Sequence, residues 1–138
     1  MAINYLNSRK RLYVVDGYAG WDPEDRVRIR VITTRAYHAL FMHNMLVRPT
    51  PKELEGDFEG GADYYIFNAG EIPANKNIPG VVGREAISLN LQQRKMVILG
   101  SQYAGEMKKG VFTIMNYLMP KKGHLPLHSS CNVGANGD

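Results

Sequence analysis

Cysteine is nearly absent: Cys131 stands alone among 138 residues, which excludes an internal disulfide framework and points to a reducing compartment. Long hydrophobic runs are missing as well. No stretch approaches the ~20 apolar residues of a membrane helix, and the N-terminus MAINYLNSRKRLYVV lacks the basic, apolar, small-residue order of a signal peptide. A cytoplasmic location without membrane attachment is the expectation. The sequence contains no G-x-x-x-x-G-K-S/T, no G-x-G-x-x-G, no H-E-x-x-H and no C-x-x-C, so these residues do not hold a nucleotide in the usual phosphate-loop manner. Nor is there low-complexity or fibrous sequence. With 44% apolar residues and a mean hydropathy of -0.30, the chain suits one soluble domain with a real core. Its net charge of +4, from 17 Lys and Arg against 13 Asp and Glu, fits an anionic ligand. That balance falls short of the clustered basic surface of a nucleic-acid binder.

What is present reads as short strands alternating with two longer helices. Arg11 to Asp16 (RLYVVD) is a β-branched and aromatic run expected to form a buried strand, closed by the turn formers Gly17, Gly20 and Asp22-Pro23. Val27 to Val31 (VRIRV) alternates strictly, so Val27, Ile29 and Val31 face a core and Arg28 and Arg30 share the other side. Thr33 or Thr34 can cap a helix through about Leu46, with Tyr37, Leu40, Phe41 and Met45 as its apolar stripe and Arg48-Pro49 as its stop. His38 and His43 on that helix point to different faces, and surface placement is expected for both. After a polar connection holding one helical turn, strands are expected at 63 to 68, 86 to 91 and 96 to 100, with a long loop over 69 to 84. A second helix begins near Gly105, burying Met107, Val111, Ile114, Met115 and Leu118, and ends at Pro120. His124 to Cys131 is expected as a final strand, and Asn136-Gly137 announces a hairpin turn whose second strand is missing. A piece of a longer protein is one expectation from that ending, and a loose tail on a complete domain is the other.

The informative residues are Lys108 and Lys109, at the start of the second helix. A helix N-terminus carries partial positive charge and disfavours cations, so two lysines there suggest that an anion or a metal belongs nearby. The plain alternative is a surface ion pair between Glu106 and Lys109, worth ~0.3 kcal/mol. Of the four histidines, only His128 lies in an apolar segment, where burial demands a partner for the imidazole, and a satisfied core histidine competes with a ligand.

Three segments carry a family resemblance: LYVVDGYAGWDPEDRVRIRVITTRAYHALFMHNMLVRP (12 to 49), LGSQYAGEMKKGVFTIMNYLMP (99 to 120) and LHSSCNVGANGD (127 to 138). Together they resemble ATP-dependent phosphoenolpyruvate carboxykinase from Tyr5 onward, with wording most similar to the fungal members; only 71 to 84 carries little of the likeness. The resemblance implies an α/β fold, a mixed sheet with flanking helices. Residues 1 to 120 would form the C-terminal portion of the substrate-side N-terminal domain, and 121 to 138 would hold the first strand of the nucleotide-binding domain. It implies a gluconeogenic enzyme that converts oxaloacetate and ATP to phosphoenolpyruvate, ADP and carbon dioxide.

By the same resemblance Tyr103 lines the substrate pocket. Lys109 contacts substrate and ATP phosphate and ligates manganese, His128 is a second manganese ligand that also meets ATP, and Lys108 adds positive charge. A Mn2+ ion with Mg-ATP as co-substrate is thereby implied. The family's upstream substrate arginine, its G-L-S-G-T-G-K-T phosphate loop and its metal-binding aspartate are absent from these residues, so the 138 residues are expected to be inactive alone. Cys131 replaces a more usual alanine, and Ser129 a frequent cysteine. A reading of another class is a small basic anion- or RNA-binding module using Arg28, Arg30, Lys108, Lys109, Lys121 and Lys122, with no enzymatic role.

Overall fold

The computed structural model describes residues 1–137 and shows a five-stranded mixed sheet with helices on both faces. Helix α1 (Ala2–Asn7) precedes an edge strand β1 (Tyr13–Ala19) and β2 (Val27–Thr33); α2 (Ala36–Met45) and α3 (Pro51–Asp57) then lead to β3 (Tyr64–Ala69). The hairpin β4 (Ala86–Asn90) and β5 (Lys95–Leu99) is followed by α4 (Gly105–Leu118), which runs into a 3-10 turn at Met119–Lys122. Strand order is β1-β2-β3-β5-β4. The three central strands β2, β3 and β5 are parallel, with antiparallel strands at both edges. Thr33 is level with Asn68, and Asn68 with Ile98, so the carboxyl ends of the three parallel strands open along one rim. Ligands of open α/β sheets bind outside such ends.

Strict alternation sorts the two faces. Ile29, Val31, Ile66, Met96 and Ile98 point toward α2 and α4 and form the main core with Met42, Met107, Val111 and Ile114. Ile29, Ile66 and Ile98 are fully buried, each worth ~1.5–3 kcal/mol by removal of apolar surface from water. On the other face α1 contributes Ala2 and Leu6 against Ala69 and Leu99. Arg28 and Arg30 also lie there: Arg28 Nη2 donates to Asp63 at 2.7 Å and Arg30 Nε to Asp16 at 2.7 Å.

Several expectations are corrected. The first strand runs to Ala19 rather than Asp16 and is an edge strand; Gly17 is not a turn but lets Leu46 pack on the strand, since a Cβ there would lie 2.7 Å from Leu46 Cβ. No threonine caps α2, whose N-cap is Arg35; Thr33 Oγ1 instead accepts from the Arg35 N–H at 3.2 Å. The buried face of α2 is His38 and Met42, while Tyr37, Leu40 and Met45 are exposed. Apolar side chains surround this helix, so periodicity alone picks no face. The expected surface position of His38 is therefore wrong. His43 is exposed, as expected.

No strand forms over His124–Cys131. Leu125 and Leu127 are exposed, and a strand without a neighbouring ladder among the described residues has nothing to pair its backbone. The turn near the end closes from the Gly137 N–H to the Gly134 carbonyl at 3.0 Å, which centres it on Ala135-Asn136. Asn136 has no positive φ, so the type I′ hairpin turn is not formed. Asp138, the last residue of the announced hairpin, lies outside the described residues.

Candidate functional site

The connection from β5 to α4 lies on the rim of the parallel strands. Gly100, at φ +74, makes the turn out of β5, and its N–H donates to the Ile72 carbonyl at 2.7 Å. Ser101 is buried behind it. The Gln102 carbonyl accepts from the Tyr37 hydroxyl at 2.6 Å and lies 2.9 Å from His38 Nε2. Tyr103 is exposed, its N–H donating to Ser101 Oγ at 3.4 Å, and its ring packs over Gly105 where any Cβ would collide. Helix α4 then starts without a side-chain cap.

His128 folds back over the first turns of α4. Its Nε2 lies 3.0 Å from Lys108 Nζ and its Nδ1 3.4 Å from Lys109 Nζ, while its ring meets Phe112 at a centroid distance of 5.1 Å. Consecutive helical residues diverge by roughly 100°, yet the two long lysine side chains converge on one imidazole. The Glu106–Lys109 ion pair does not form among the described residues, because Lys109 turns to His128. Tyr103 makes no hydrogen bond to either lysine or to His128. Thus the structure brings Lys108, Lys109 and His128 together and leaves Tyr103 on the adjoining loop. His128 lies in a bend rather than a strand and is exposed.

The electrostatics of this cluster are unusual. The charge on Lys109, then that on Lys108, holds the His128 imidazole below its ordinary pKa, because a third cation there would be repelled. A neutral imidazole has one lone pair and one N–H. One lysine contact therefore faces a lone pair, and the other sets an N–H against a second ammonium. A shared metal cation in place of the protons removes that conflict, and imidazole with a deprotonated amine is a nitrogen donor pair that a divalent transition metal accepts. The set is incomplete: among the described residues no three His, Cys, Asp or Glu side chains cluster as a metal cage.

A family model for phosphoenolpyruvate carboxykinase matches residues 1–138. The chain belongs to the phosphoenolpyruvate carboxykinase family. A phosphoenolpyruvate carboxykinase (ATP) of Dictyostelium discoideum is 58% identical over 135 residues, covering 98% of this chain and 24% of the relative. Phosphoenolpyruvate carboxykinase (ATP) 1 of Urochloa panicoides is 56% identical over 137 residues, 99% of the chain and 22% of the relative. A fungal relative of the same name, from Emericella nidulans, is 54% identical over 138 residues, 99% of the chain and 22% of the relative. The chain thus spans about a quarter or less of the length of the curated relatives it matches.

Sequence reasoning missed three contributors on this rim of the carboxykinase chain. Phe112 supports the His128 ring, and Tyr37 and His38 hold the Gln102 carbonyl. Phe112 was findable, since it lies one turn beyond Lys108 on the same side of α4. Nothing local announces Tyr37 and His38, whose partner is more than sixty residues away.

Proposed function

We propose that the chain is a central piece of an ATP-dependent phosphoenolpyruvate carboxykinase and supplies one wall of its substrate, ATP and metal site. The observation that carries this is His128 bracketed by Lys108 and Lys109 on the first turns of α4, in a chain of that family. In the reaction the bond from the departing carboxylate of oxaloacetate to carbon breaks. Carbon dioxide leaves, the electron pair remains as an enolate, and the enolate oxygen takes the γ-phosphoryl group of ATP as ADP departs. A bound Mn2+, with Mg-ATP as co-substrate, supplies Lewis-acid polarisation of the enolate and phosphoryl oxygens. Lys109, with its amine deprotonated, and His128 are the residues that would hold the ion. Lys109 also contacts substrate and the ATP phosphate, and His128 also meets ATP. Lys108 adds positive charge against the triphosphate, and Tyr103, exposed at the mouth, lines the oxaloacetate pocket.

Residues 1 to 120 belong on this reading to the substrate-side N-terminal domain, and 121 to 138 begin the nucleotide-binding domain. On this reading the enzyme acts in gluconeogenesis in the cytoplasm. Among the described residues no helix is long and apolar enough to cross a membrane. Lys109→Met or His128→Ala in the full-length enzyme lowers turnover by at least about a hundredfold, the scale of losing one preorganised charge-stabilising group. Mn2+ affinity falls with it, as read by a coupled phosphoenolpyruvate assay and by Mn2+ electron paramagnetic resonance. Wild-type turnover in either variant removes that residue from the site. The 138 residues alone form no phosphoenolpyruvate, since they contain no phosphate loop, and measurable product from the purified chain would contradict the division of the site proposed here.

A further inference from the structure

The loop that carries Tyr103 is held from one direction by a helix that no part of the proposed chemistry uses. His38 is 1% exposed and spans two elements: its Nε2 lies 2.9 Å from the Gln102 carbonyl and its Nδ1 3.3 Å from Thr33 Oγ1. A carbonyl only accepts, so Nε2 carries the proton and Nδ1 is the acceptor, which the Thr33 hydroxyl satisfies by donating. Thr33 Oγ1 in turn accepts the Arg35 N–H at 3.2 Å. The result is a directed chain, from the Arg35 amide through the Thr33 hydroxyl and the His38 imidazole to the Gln102 carbonyl. Tyr37, the preceding residue, donates to the same carbonyl at 2.6 Å. Both lone pairs of one peptide oxygen are thereby occupied from one turn of α2. Burial holds the His38 pKa below its ordinary value and keeps the ring in the neutral form that this chain requires.

The peptide so fixed is the one that joins Gln102 to Tyr103. Beyond it, the Tyr103 N–H is taken by Ser101 Oγ, and the ring is pressed on Gly105, where a side chain would collide. An exposed tyrosine therefore has its backbone pinned on two sides and its ring seated on a third. Residues whose only task is to keep a loop from fraying do not need a buried imidazole with both nitrogens engaged; a donor pair aimed at one carbonyl sets a direction as well as a distance. We propose that His38, with Tyr37 and Thr33 as its partners, is a positioning residue that fixes the orientation of Tyr103 toward oxaloacetate. This rests on the assignment of Tyr103 to the substrate pocket, while the pinning of the loop does not.

The test has two arms. In the first, hydrogen exchange in the full-length enzyme compares His38→Leu and Tyr37→Phe with wild type. Faster exchange at the amides of 103 to 107, with that of β1 unchanged, is expected, and unchanged exchange at 103 to 107 in both variants overturns the proposal. Tyr37→Phe removes one exposed hydroxyl, so the arm survives if His38→Leu does not fold. In the second arm, KM for oxaloacetate rises about tenfold in His38→Leu with kcat changed less, as expected of a loosened positioning contact. His38→Gln, which retains both a donor and an acceptor, restores most of that loss. The decisive comparison is the His38→Leu substitution in a Tyr103→Ala background. Loss of its KM effect there shows that it acts through Tyr103, and an undiminished effect overturns the proposal. A Tyr103→Ala enzyme with wild-type KM would instead defeat the substrate-pocket assignment, and with it the orienting role, whereas faster exchange would still report a pinned loop.

Discussion

A single imidazole cannot accept from two ammonium groups, and His128 lies within 3.4 Å of both Lys108 Nζ and Lys109 Nζ. The consequence is measurable at the residue itself. Replacing both lysines by methionine raises the His128 titration midpoint toward the ordinary histidine value of about 6.5, because the two charges that oppose protonation are gone. Lys109→Met moves it further than Lys108→Met, since Lys109 is the larger cause. Proton–carbon NMR of the imidazole across the pH range reads the midpoint, and a value unmoved in the double variant would place the lysines away from the ring. The sign also matters for ligation: a depressed midpoint leaves the lone pair free at lower pH, as a metal ligand needs. At this scale the lysine pair was legible, because cations at a helix start run against the dipole. The apolar strand that would mark His128 does not form, and its role as a ligand is legible only through the family resemblance. His38 was not legible. Its burial is decided by Thr33 and by a carbonyl 64 residues away, and a helix with apolar side chains all round offers no pattern to reveal that.

Elements were legible where the chain's own period decides them. β2 alternates strictly and buries Val27, Ile29 and Val31, and α4 begins at Gly105 and buries Met107, Val111 and Ile114 along its expected face. The connections between elements obey closer constraints. Gly70 follows β3, and a Cβ there would run into the Ser101 backbone carbonyl of the neighbouring strand's exit, with the carbonyl carbon 2.8 Å away. Backbone cannot step aside as a flexible side chain can, so Gly70→Ala costs at least about 1–3 kcal/mol by overpacking. Gly56 in α3 is the control: nothing lies within 4 Å of its Cβ position, and Gly56→Ala there gains about 0.5–1 kcal/mol from the lower backbone entropy of the unfolded chain. Thermal melts should thus shift in opposite directions for the two substitutions. A Gly70→Ala melt at or above wild type would show that the two strand exits do not approach as described. The helical turn expected after Pro49 proved to be the seven-residue α3, started by a Thr50–Glu53 capping box that local sequence does encode. The failure at His124–Cys131 has the converse cause. Leu125 and Leu127 read as strand residues, but strand formation is settled by a pairing neighbour, and none runs beside them among the described residues.

At the scale of the whole molecule, the sheet separates two kinds of positive charge. On the α3 side the arginines are spent on carboxylates: Arg28 is bidentate to Asp63, Arg30 is bidentate to Asp16, and Arg26 pairs with Glu53 while lying over the Tyr18 ring. Lys122 pairs with Asp25 at 2.8 Å, and Lys121 covers the Tyr117 ring. Of the six cations that an RNA-binding reading would recruit, only Lys108 and Lys109 have neither a carboxylate nor a tyrosine ring as a partner among the described residues. The six-cation surface that such a reading needs is therefore reduced to two. Six phosphate contacts on a single strand would give a log–log salt slope near -4, and two would give about -1.4. Titrating fluorescent single-stranded RNA against the chain at several salt concentrations should yield the shallow slope with weak binding. A slope near -4 would mean that the arginine–carboxylate pairs open for RNA, and would add a polyanion-binding surface to a chain of the carboxykinase family. Those two lysines are also the two that face His128, so within this set of six the uncommitted charge lies where the proposed triphosphate and metal would lie.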